Sequence, residues 1–545
     1  MMKPMRTWLR LLAVLVGLLA AVLPVRASWW EPLPAARNVI VLIPDGCSQG
    51  MVTLARWTRS GPLAVDRIQA GAVRTFSADS LITDSAAAAT ALACGFKTAN
   101  GTLGLAPAPD APLRPAQQPE KPCQPLATVL EAAQRSGRAA GIVVTDTITG
   151  ATPAGFAAHV DARSSEEAIA VQMVYHDLNV AFGGGRNSLL PAAAGGNRRD
   201  GRNLLDALRG RGVQVVEDRD ALLRLREGRA WGVFAAGAFA PESDRPTVAP
   251  SQPSLAEMTG TAIALLSRNR GGFFLLVEGS QVDKADHVND AGRAVREFLA
   301  FDDAVRVALN FAAADRHTLV VACPDHDTGG LTIGHTGNSP RLPADLTGPL
   351  ALMQISADAL AARIGTNRTA ANVAANVQAW WNVRLAPAEA DEITNRAAAG
   401  KSGAALTYAL AEIVSREHTA VGWTTHQHTG VDVPLWSFGP GRPAGLIDNT
   451  EVAAAVARAM RVDLEAATRA LFVDAQKAFP EARLDDADPA APVLAIGAAR
   501  LPVDTDLLLL DGREVRLDGV VVHVAATGRT YIPQSAVDLI RAGRR

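Results

Sequence analysis

The sequence predicts an α/β fold in which a central, mainly parallel β-sheet lies between layers of helices. Short runs of β-branched and aliphatic residues recur along the chain, and helical stretches such as 255–267 and 291–314 lie between several of them. This alternation is typical of parallel strands joined by helical crossovers. Because the runs are apolar throughout, we expect the strands to be buried on both faces. The predicted strands are 38–43, 141–144, 213–216, 273–277, 318–321 and 435–438.

Three stretches depart from this pattern within the 545 residues. Residues 106–125 are rich in proline and alanine and indicate a surface loop. Residues 340–425 are alanine-rich and predict a helical cap inserted into a main domain of residues 28–480. Residues 485–545 contain two Asp-Gly turn dipeptides between short strands, so they predict a small β-rich C-terminal module.

The N-terminus has the pattern of a signal peptide. Three basic residues among the first ten precede an apolar stretch, 11–23, which ends before Val25-Arg26-Ala27. The stretch is short for a membrane span, so an uncleaved anchor is the less favoured alternative. Cleavage after Ala27 leaves 49 basic and 55 acidic residues, a formal charge of −6. We therefore expect a periplasmic or secreted protein with neither a nucleic-acid partner nor a lasting membrane span.

The four cysteines are too few for a disulfide scaffold in so long a chain. Cys47 and Cys323 lie beside acidic residues at predicted strand ends, where packing is the favoured role. Cys94 and Cys123 flank a loop, and the sequence leaves open whether a disulfide bond joins them.

Polar residues follow several predicted strands directly. Asp45 follows the first strand, residues 147–152 follow the second, Glu278 closes the fourth, and Asp325-His326 follow the fifth. A single aspartate after a strand is most often a turn or a helix cap. Because ligands bind outside the carboxyl ends of parallel strands, the recurrence favours one functional rim.

Several of these residues have the chemistry of metal ligands. Asp283 and His287 are four residues apart, so in a helix they lie on one face and can bind one cation. Such a pair is more often a surface contact, but here Glu278 precedes it at the end of a buried strand. Mixed Asp and His ligands are typical of zinc, and Asp, Glu and Thr oxygens of magnesium. Further donors follow at Asp325, His326 and His428.

The other histidines have no such context. For His159 and His426 we favour packing or the support of a ligand. The remaining five are interpreted as ordinary residues: His176, His317, His335, His418 and His523.

Ser85 is the candidate nucleophile. The segment Asp84-Ser85 precedes an alanine-rich helix former that stops near Gly95. This places Ser85 at a helix N-terminus, where free N–H groups and the helix dipole favour anions. Without the candidate metal ligands, helix capping alone would explain this serine.

Taken together, these motifs resemble those of the alkaline phosphatases, in order and in character. The resemblance covers about residues 38–440 and leaves out the C-terminal module. The motifs are Ile43-Pro44-Asp45-Gly46, Asp84-Ser85-Ala86-Ala87-Ala88-Ala89-Thr90-Ala91, Ala151-Thr152-Pro153-Ala154, the block 278–287, Asp325-His326 and His428-Thr429-Gly430.

The resemblance implies an alkaline-phosphatase-like fold and a site with two zinc ions and one magnesium ion. Ser85 would form a phosphoserine intermediate during hydrolysis of small-molecule phosphate monoesters. The resemblance leaves open whether the protein is a homodimer. The implied ligands are Asp283, His287 and His428 for the first zinc, Asp45, Asp325 and His326 for the second, and Asp45, Thr152 and Glu278 for magnesium.

Three more residues of the implied site bind or orient the phosphate. Arg163 matches the phosphate-clamping arginine, and Asp84 would orient it. Taken alone, Arg163 would be interpreted as a solvated helix residue. Lys284 matches the bacterial lysine that approaches phosphate through water.

Gly150 departs from the family pattern. The better-known bacterial members carry an acidic residue at this place, and another division has histidine both here and at position 284. The strength of magnesium binding and the identity of that ion therefore stay open.

Two other classes share parts of this pattern. A phosphodiesterase of the same superfamily would use the same rim, and a non-catalytic exported protein could bind phosphate or metal there. A sulfatase needs a C/S-x-P-x-R sequence around its nucleophile, which Ser85 lacks. With three divalent ions and four carboxylates, the site has a local charge of about +2, which suits a phosphate dianion.

Overall fold

A computed structural model describes residues 35–59, 61–113, 122–335 and 339–543. Within them, ten strands form the central sheet in the order β10-β2-β9-β8-β1-β7-β3-β4-β6-β5. Only β9 runs antiparallel to its neighbours, so the predicted mainly parallel α/β fold is confirmed. The strands are β1 (Asn38–Pro44), β2 (Gln69–Arg74), β3 (Ala139–Thr147), β4 (Val180–Gly184), β5 (Gln214–Val216), β6 (Ala230–Val233), β7 (Phe273–Gly279), β8 (Thr318–Ala322), β9 (Val433–Phe438) and β10 (Gly445–Asp448).

Both faces of the sheet are covered. Alternate residues of β1 point to opposite faces, as strand geometry requires. Ile40 and Leu42 belong to one buried apolar cluster, and Val39, Val41 and Ile43 belong to another. The six predicted strands all lie in this sheet, at its buried centre or close to its edges.

Helices form the two layers. The predicted helices 255–267 and 291–314 are observed as Leu255–Leu266 and Ala291–Asp315. The other α-helices of the main part are Gln49–Arg59, Ser85–Cys94, Val129–Arg135, Ala151–Ala157, Glu166–Tyr175, Arg186–Leu189, Leu204–Gly210, Arg219–Arg224, Arg245–Val248, Gln281–Val288, Asn449–Met460 and Leu464–Leu471, with 3-10 turns at Val65–Ile68 and Ala192–Ala194.

Residues 340–425 are mainly helical, as expected for a cap. Trp381 is buried, and its indole N–H donates to the Ile355 carbonyl at 2.7 Å. Trp380 stacks beneath the Arg363 guanidinium, 4.0 Å from its ring centroid. The helices are Pro343–Leu352, Ala357–Ile364, Ala370–Trp381, Pro387–Ala399 and Ala405–His418.

The C-terminal part is rich in β-structure, as predicted, and its pairing begins upstream of residue 485. β11 (Val473–Asp474) pairs with the late strand Arg529–Ile532, which also pairs with Val522–Val524. Asp511 and Gly512 both have positive φ, which is the requirement of a two-residue hairpin turn. The five strands of the second C-terminal sheet are Arg483–Asp485, Val493–Ile496, Ala499–Pro502, Leu507–Leu510 and Arg513–Arg516, and the helices are Ala475–Ala478 and Gln534–Gly543.

All four cysteines lie among the described residues and are free thiols, so the open Cys94–Cys123 pairing is not formed. In the part of the chain that the structure describes, no helix has the length and apolar character of a membrane span. The predicted signal peptide, residues 1–27, lies outside the described residues.

Candidate metal centre and nucleophile

The carboxyl ends of four neighbouring parallel strands, β8, β1, β7 and β3, carry the site. Ile43 of β1 and Val144 of β3 both pair with Glu278 of β7, so the three residues lie at one level of the sheet. Asp45 comes directly after β1, and Asp325 follows β8. Because the strands are parallel, these polar residues meet at one edge, as the sequence predicts.

The first candidate metal site consists of the implied ligands of the second zinc, Asp45, Asp325 and His326. One ligand atom from each lies within 4.8 Å of the others. His326 Nε2 is 3.6 Å from Asp45 Oδ1 and 3.3 Å from Asp325 Oδ2. These two carboxylate oxygens are buried and have no hydrogen-bond partner among the described residues. Such oxygens are costly to bury without a neutralising cation, so the donor set fits zinc.

The second candidate metal site consists of the implied ligands of the first zinc, Asp283, His287 and His428. His287 Nε2 is 3.3 Å from His428 Nε2 and 3.4 Å from Asp283 Oδ2, and His428 Nε2 is 3.6 Å from Asp283 Oδ1. Each ring can donate its Nδ1–H to a carbonyl oxygen, His287 to that of His426 at 2.6 Å and His428 to that of Thr83 at 3.0 Å. These bonds leave both Nε2 atoms free for a metal ion.

The two candidate sites adjoin each other. His326 also lies within ligand reach of Asp283 and His428. Its ring stacks on that of His428, with the centroids 3.7 Å apart. Neighbouring cation sites of this kind allow two ions to act on one substrate.

Burial and charge change the protonation of this cluster. Burial, followed by repulsion from Asp325 and Asp283, raises the pKa of Asp45 well above its usual value. Burial, followed by repulsion from nearby His428, lowers the pKa of His326 to about 3. His326 is therefore neutral near pH 7, the form that binds metal, while a divalent cation would displace protons from the carboxyl groups.

Thr152 and Glu278 are two of the three residues that the sequence predicts as magnesium ligands. Thr152 is on the helix Ala151–Ala157 and Glu278 is near the end of β7, and both are buried. Glu278 Oε2 has no hydrogen-bond partner in the described part of the chain, and burial raises the pKa of Glu278 to about 8. With Asp45 they offer hard oxygen donors that fit magnesium. Gly150 is the N-cap of the helix and adds no donor.

Ser85 begins the helix Ser85–Cys94, which is buried throughout. Asp84 is the N-cap, and its carboxylate accepts a backbone hydrogen bond from the first turn at 3.0 Å. Ser85 Oγ lies 3.2 Å from His326 Nε2. The hydroxyl is therefore next to the first candidate metal site and at the positive end of a helix dipole.

Arg163 lies beside Asp84, the residue expected to orient it. Arg163 Nη1 donates to Asp84 Oδ2 at 3.0 Å, and the same oxygen accepts from the Gly101 N–H at 3.0 Å. Arg163 sits in a turn before the helix Glu166–Tyr175, so it is not the helix residue that its neighbours suggested. Its side chain is 43% exposed, which leaves the guanidinium accessible to an incoming anion.

Lys284 has a partner that the sequence analysis did not identify. Its Nζ lies 2.5 Å from Oδ2 of Asp146. Asp146 is the penultimate residue of β3, where the prediction ended the strand at residue 144. The sequence shows an acidic residue close after this predicted strand, but it does not show that the residue pairs with Lys284.

Other supporting residues lie inside the recognised motifs or directly after them. Thr328 Oγ1 donates to Asp283 Oδ1 at 2.6 Å, and Thr429 Oγ1 donates to Asp327 Oδ2. Asp286 is fully buried, and burial followed by repulsion from Asp327 raises its pKa well above the usual value. The signal for these residues was their adjacency to the predicted ligands.

The remaining histidines make ordinary contacts. His426 supports His287 through its carbonyl oxygen, the kind of role expected for it. His159 and His176 flank the buried Glu131, at 3.0 and 3.5 Å. None of the seven joins a converging group of candidate ligands in the described residues: His159, His176, His317, His335, His418, His426 and His523.

Comparison with known sequences gives one consistent result. The sequence model of the family described as alkaline phosphatase matches residues 36–462. Alkaline phosphatase 3 of Bacillus subtilis is 35% identical over 447 residues, covering 79% of this chain and 90% of its own length. The repressible alkaline phosphatase of Saccharomyces cerevisiae is 32% identical, covering 76% of this chain and 80% of its own.

Solved structures agree. The alkaline phosphatase of Thermus thermophilus superimposes with a TM-score of 0.69 at 30% identity, covering 81% of this chain and 96% of its own. A cold-active alkaline phosphatase from a Shewanella species gives a TM-score of 0.66 at 30% identity, covering 78% of this chain and 99% of its own.

In protein stripped of divalent cations, the free energy of unfolding should fall as the pH rises. Burial raises the pKa of Glu278 from an ordinary 4.5 to about 8 in the metal-free folded protein. The stabilising effect of the retained proton is complete below the unfolded pKa and is lost as the pH rises through the folded pKa. We expect the calorimetric melting temperature of chelator-treated protein to fall by about 5 °C or more between about pH 5 and pH 9.

The control is the same protein reloaded with zinc and magnesium, in which cations offset the buried charge and the fall should be smaller. In a chelator-treated Glu278→Gln variant the dependence on pH should also be reduced. An unchanged dependence in that variant would contradict the assignment.

Proposed function

The chain belongs to the alkaline phosphatase family, and we propose that it hydrolyses phosphate monoesters to an alcohol and inorganic phosphate through a phosphoserine on Ser85. The observation that carries this proposal is the position of Ser85 Oγ, 3.2 Å from His326 Nε2 at the start of a buried helix. A hydroxyl placed there adjoins the candidate metal ligands Asp45, Asp325 and His326 and lies at the N-terminus of a helix, where the dipole favours anions. That is the setting in which serine becomes a nucleophile.

Charge is the main obstacle to this reaction. A phosphate monoester is a dianion near neutral pH and repels a serine alkoxide. When bound, two zinc ions and one magnesium ion would supply the opposing charge and lower the pKa of the Ser85 hydroxyl. The proposed ligands are Asp283, His287 and His428, then Asp45, Asp325 and His326, and finally Asp45, Thr152 and Glu278.

Arg163 would hold the substrate. Its guanidinium can donate two parallel hydrogen bonds to non-bridging phosphate oxygens, a geometry that suits arginine. Asp84 keeps the side chain in place through a 3.0 Å bond while one edge of the guanidinium stays exposed. The cap of the Ser85 helix and the orientation of the clamp thus depend on one carboxylate.

The reaction would take two displacements. Ser85 Oγ loses its proton and attacks phosphorus in line with the ester oxygen, and the bond to that oxygen breaks as the serine bond forms. The released oxygen takes a proton to give the alcohol. Water then attacks phosphorus from the vacated side, Ser85 Oγ leaves and regains a proton, and the configuration at phosphorus is retained overall.

The proposed location is periplasmic or secreted, on the basis of the signal pattern in residues 1–27. The proposed substrates are small-molecule phosphate monoesters.

Replacing Ser85 with alanine should abolish the covalent intermediate. We expect no phosphate label on Ser85→Ala after quenching with acid, and a fall in kcat of about 10³-fold or more. The matched control is Ser164→Ala, because Ser164 is an exposed serine next to Arg163. Label trapped on the Ser85→Ala protein would show that another residue is the nucleophile.

Replacing Arg163 with alanine should weaken inhibition by inorganic phosphate by about 10- to 150-fold, or about 1.5 to 3 kcal/mol, the value of charge-assisted hydrogen bonds. Arg209→Ala is the control, since it removes an exposed Arg–Asp pair of 2.9 Å elsewhere. An unchanged inhibition constant in Arg163→Ala would rule out the clamp.

Monoesters should be preferred over diesters, because a diester lacks one of the anionic oxygens that the cations and Arg163 would bind. We expect kcat/KM for nitrophenyl phosphate to exceed that for bis-nitrophenyl phosphate by on the order of 10³-fold. A ratio near or below one would instead favour the phosphodiesterase alternative.

A further inference from the structure

Asp146 holds a place at the rim that mirrors that of Asp45. β7 lies between β1 and β3, and Glu278 pairs with Ile43 on one side and Val144 on the other. Asp45 is two residues beyond Ile43, and Asp146 is two residues beyond Val144. The two aspartates therefore flank the buried glutamate from neighbouring strands.

The end of β3 is tied to the start of the next element. The Ser280 N–H donates to Thr145 Oγ1 at 3.0 Å, and Gln281 Nε2 donates to the Thr145 carbonyl at 3.0 Å. These bonds fix Asp146 against the segment that carries Glu278. Its charge is close enough that, after burial, it is the largest contributor to the raised pKa of Glu278.

The Asp146 carboxylate is itself held in position. Oδ2 lies 2.5 Å from Lys284 Nζ, and Oδ1 accepts the Thr147 N–H at 2.7 Å. Lys284 is on the helix Gln281–Val288, next to the proposed ligand Asp283. The pair is half-buried rather than a freely solvated surface pair, with side-chain exposures of 39% and 22%.

The third candidate cation site lacks one acidic group. Gly150, the N-cap of the helix Ala151–Ala157, has no side chain that could supply an oxygen ligand. Glu278 Oε2 and Asp45 Oδ1 nonetheless have no hydrogen-bond partner in the described ranges, and both residues are more than nine-tenths buried. Buried oxygens left in this way point to a bound cation.

We propose that Asp146 replaces the missing acid of position 150 as the outer carboxylate of the third cation site, with Lys284 as its positioning residue. Magnesium keeps several water molecules when protein-bound, and an outer carboxylate accepts their hydrogen bonds. The 2.5 Å ion pair with Lys284 would hold the Asp146 carboxylate in position toward that water. This inference rests on the proposed function, because it concerns the same site.

The experiment measures magnesium binding without turnover. Full-length protein is stripped with chelator, reloaded with two equivalents of zinc, and titrated with magnesium chloride by calorimetry, with elemental analysis of the bound ions. Asp146→Asn should weaken magnesium binding by about 10- to 100-fold while zinc content stays the same, because loss of an outer ligand has that effect. Asp146→Glu, which keeps the charge, should stay within about threefold of wild type.

Asp518→Asn is the matched control, because it removes a 2.5 Å carboxylate pair with Arg135 far along the chain and should leave magnesium binding unchanged. The proposal is overturned if Asp146→Asn binds magnesium within about twofold of wild type, or if Asp146→Glu loses as much affinity as Asp146→Asn. Failure here differs from failure of the proposed function, which is tested by phosphate trapping on wild-type Ser85 and does not involve Asp146.

Discussion

The constraint on which this structure depends is the burial of like charges at the end of a parallel sheet. Glu278 is near the end of β7, and Asp45 and Asp325 follow the neighbouring strands β1 and β8, so the three carboxylates meet at one edge of the sheet. Burial raises the pKa values of all three, and repulsion from neighbouring carboxylates adds to the rise for Asp45 and Glu278. This arrangement is unfavourable for the protein alone and would become favourable with cations bound at the candidate sites.

Further hydrogen bonds hold the side chains of this cluster in fixed orientations. Backbone carbonyls orient the imidazoles of His287 and His428, while the Thr328 hydroxyl holds the Asp283 carboxylate. Asp84 caps the helix of Ser85 and anchors Arg163 with the same carboxylate. The proposed nucleophile and the proposed phosphate clamp are thereby fixed relative to each other, which is the positional precision that phosphoryl transfer requires.

The sequence predicted the fold where local composition is decisive. β1, β7 and β8 were identified because burial on both faces demands continuous apolar runs. The strands β2, β4, β6 and β10 were missed because they are short and carry glycine, which lowers strand propensity. The candidate ligand residues could be named from the sequence because they lie in recognisable local motifs. The ion pair between Asp146 and Lys284 could not, because it depends on which strand lies beside which, and sheet order is a long-range property.

In the proposed third cation site, a position in the sequence motif and the physical role of an acidic group need not coincide. A motif records an acid at one position, but the chemistry requires only negative charge at one place in space. In a parallel sheet, that place can be reached from any of several strand ends, because they all open onto the same edge. The loss of a side chain at Gly150 is compatible with an intact site if a neighbouring strand end supplies the charge. The Asp146 carboxylate, four residues earlier and held by Lys284, is in a position to do so.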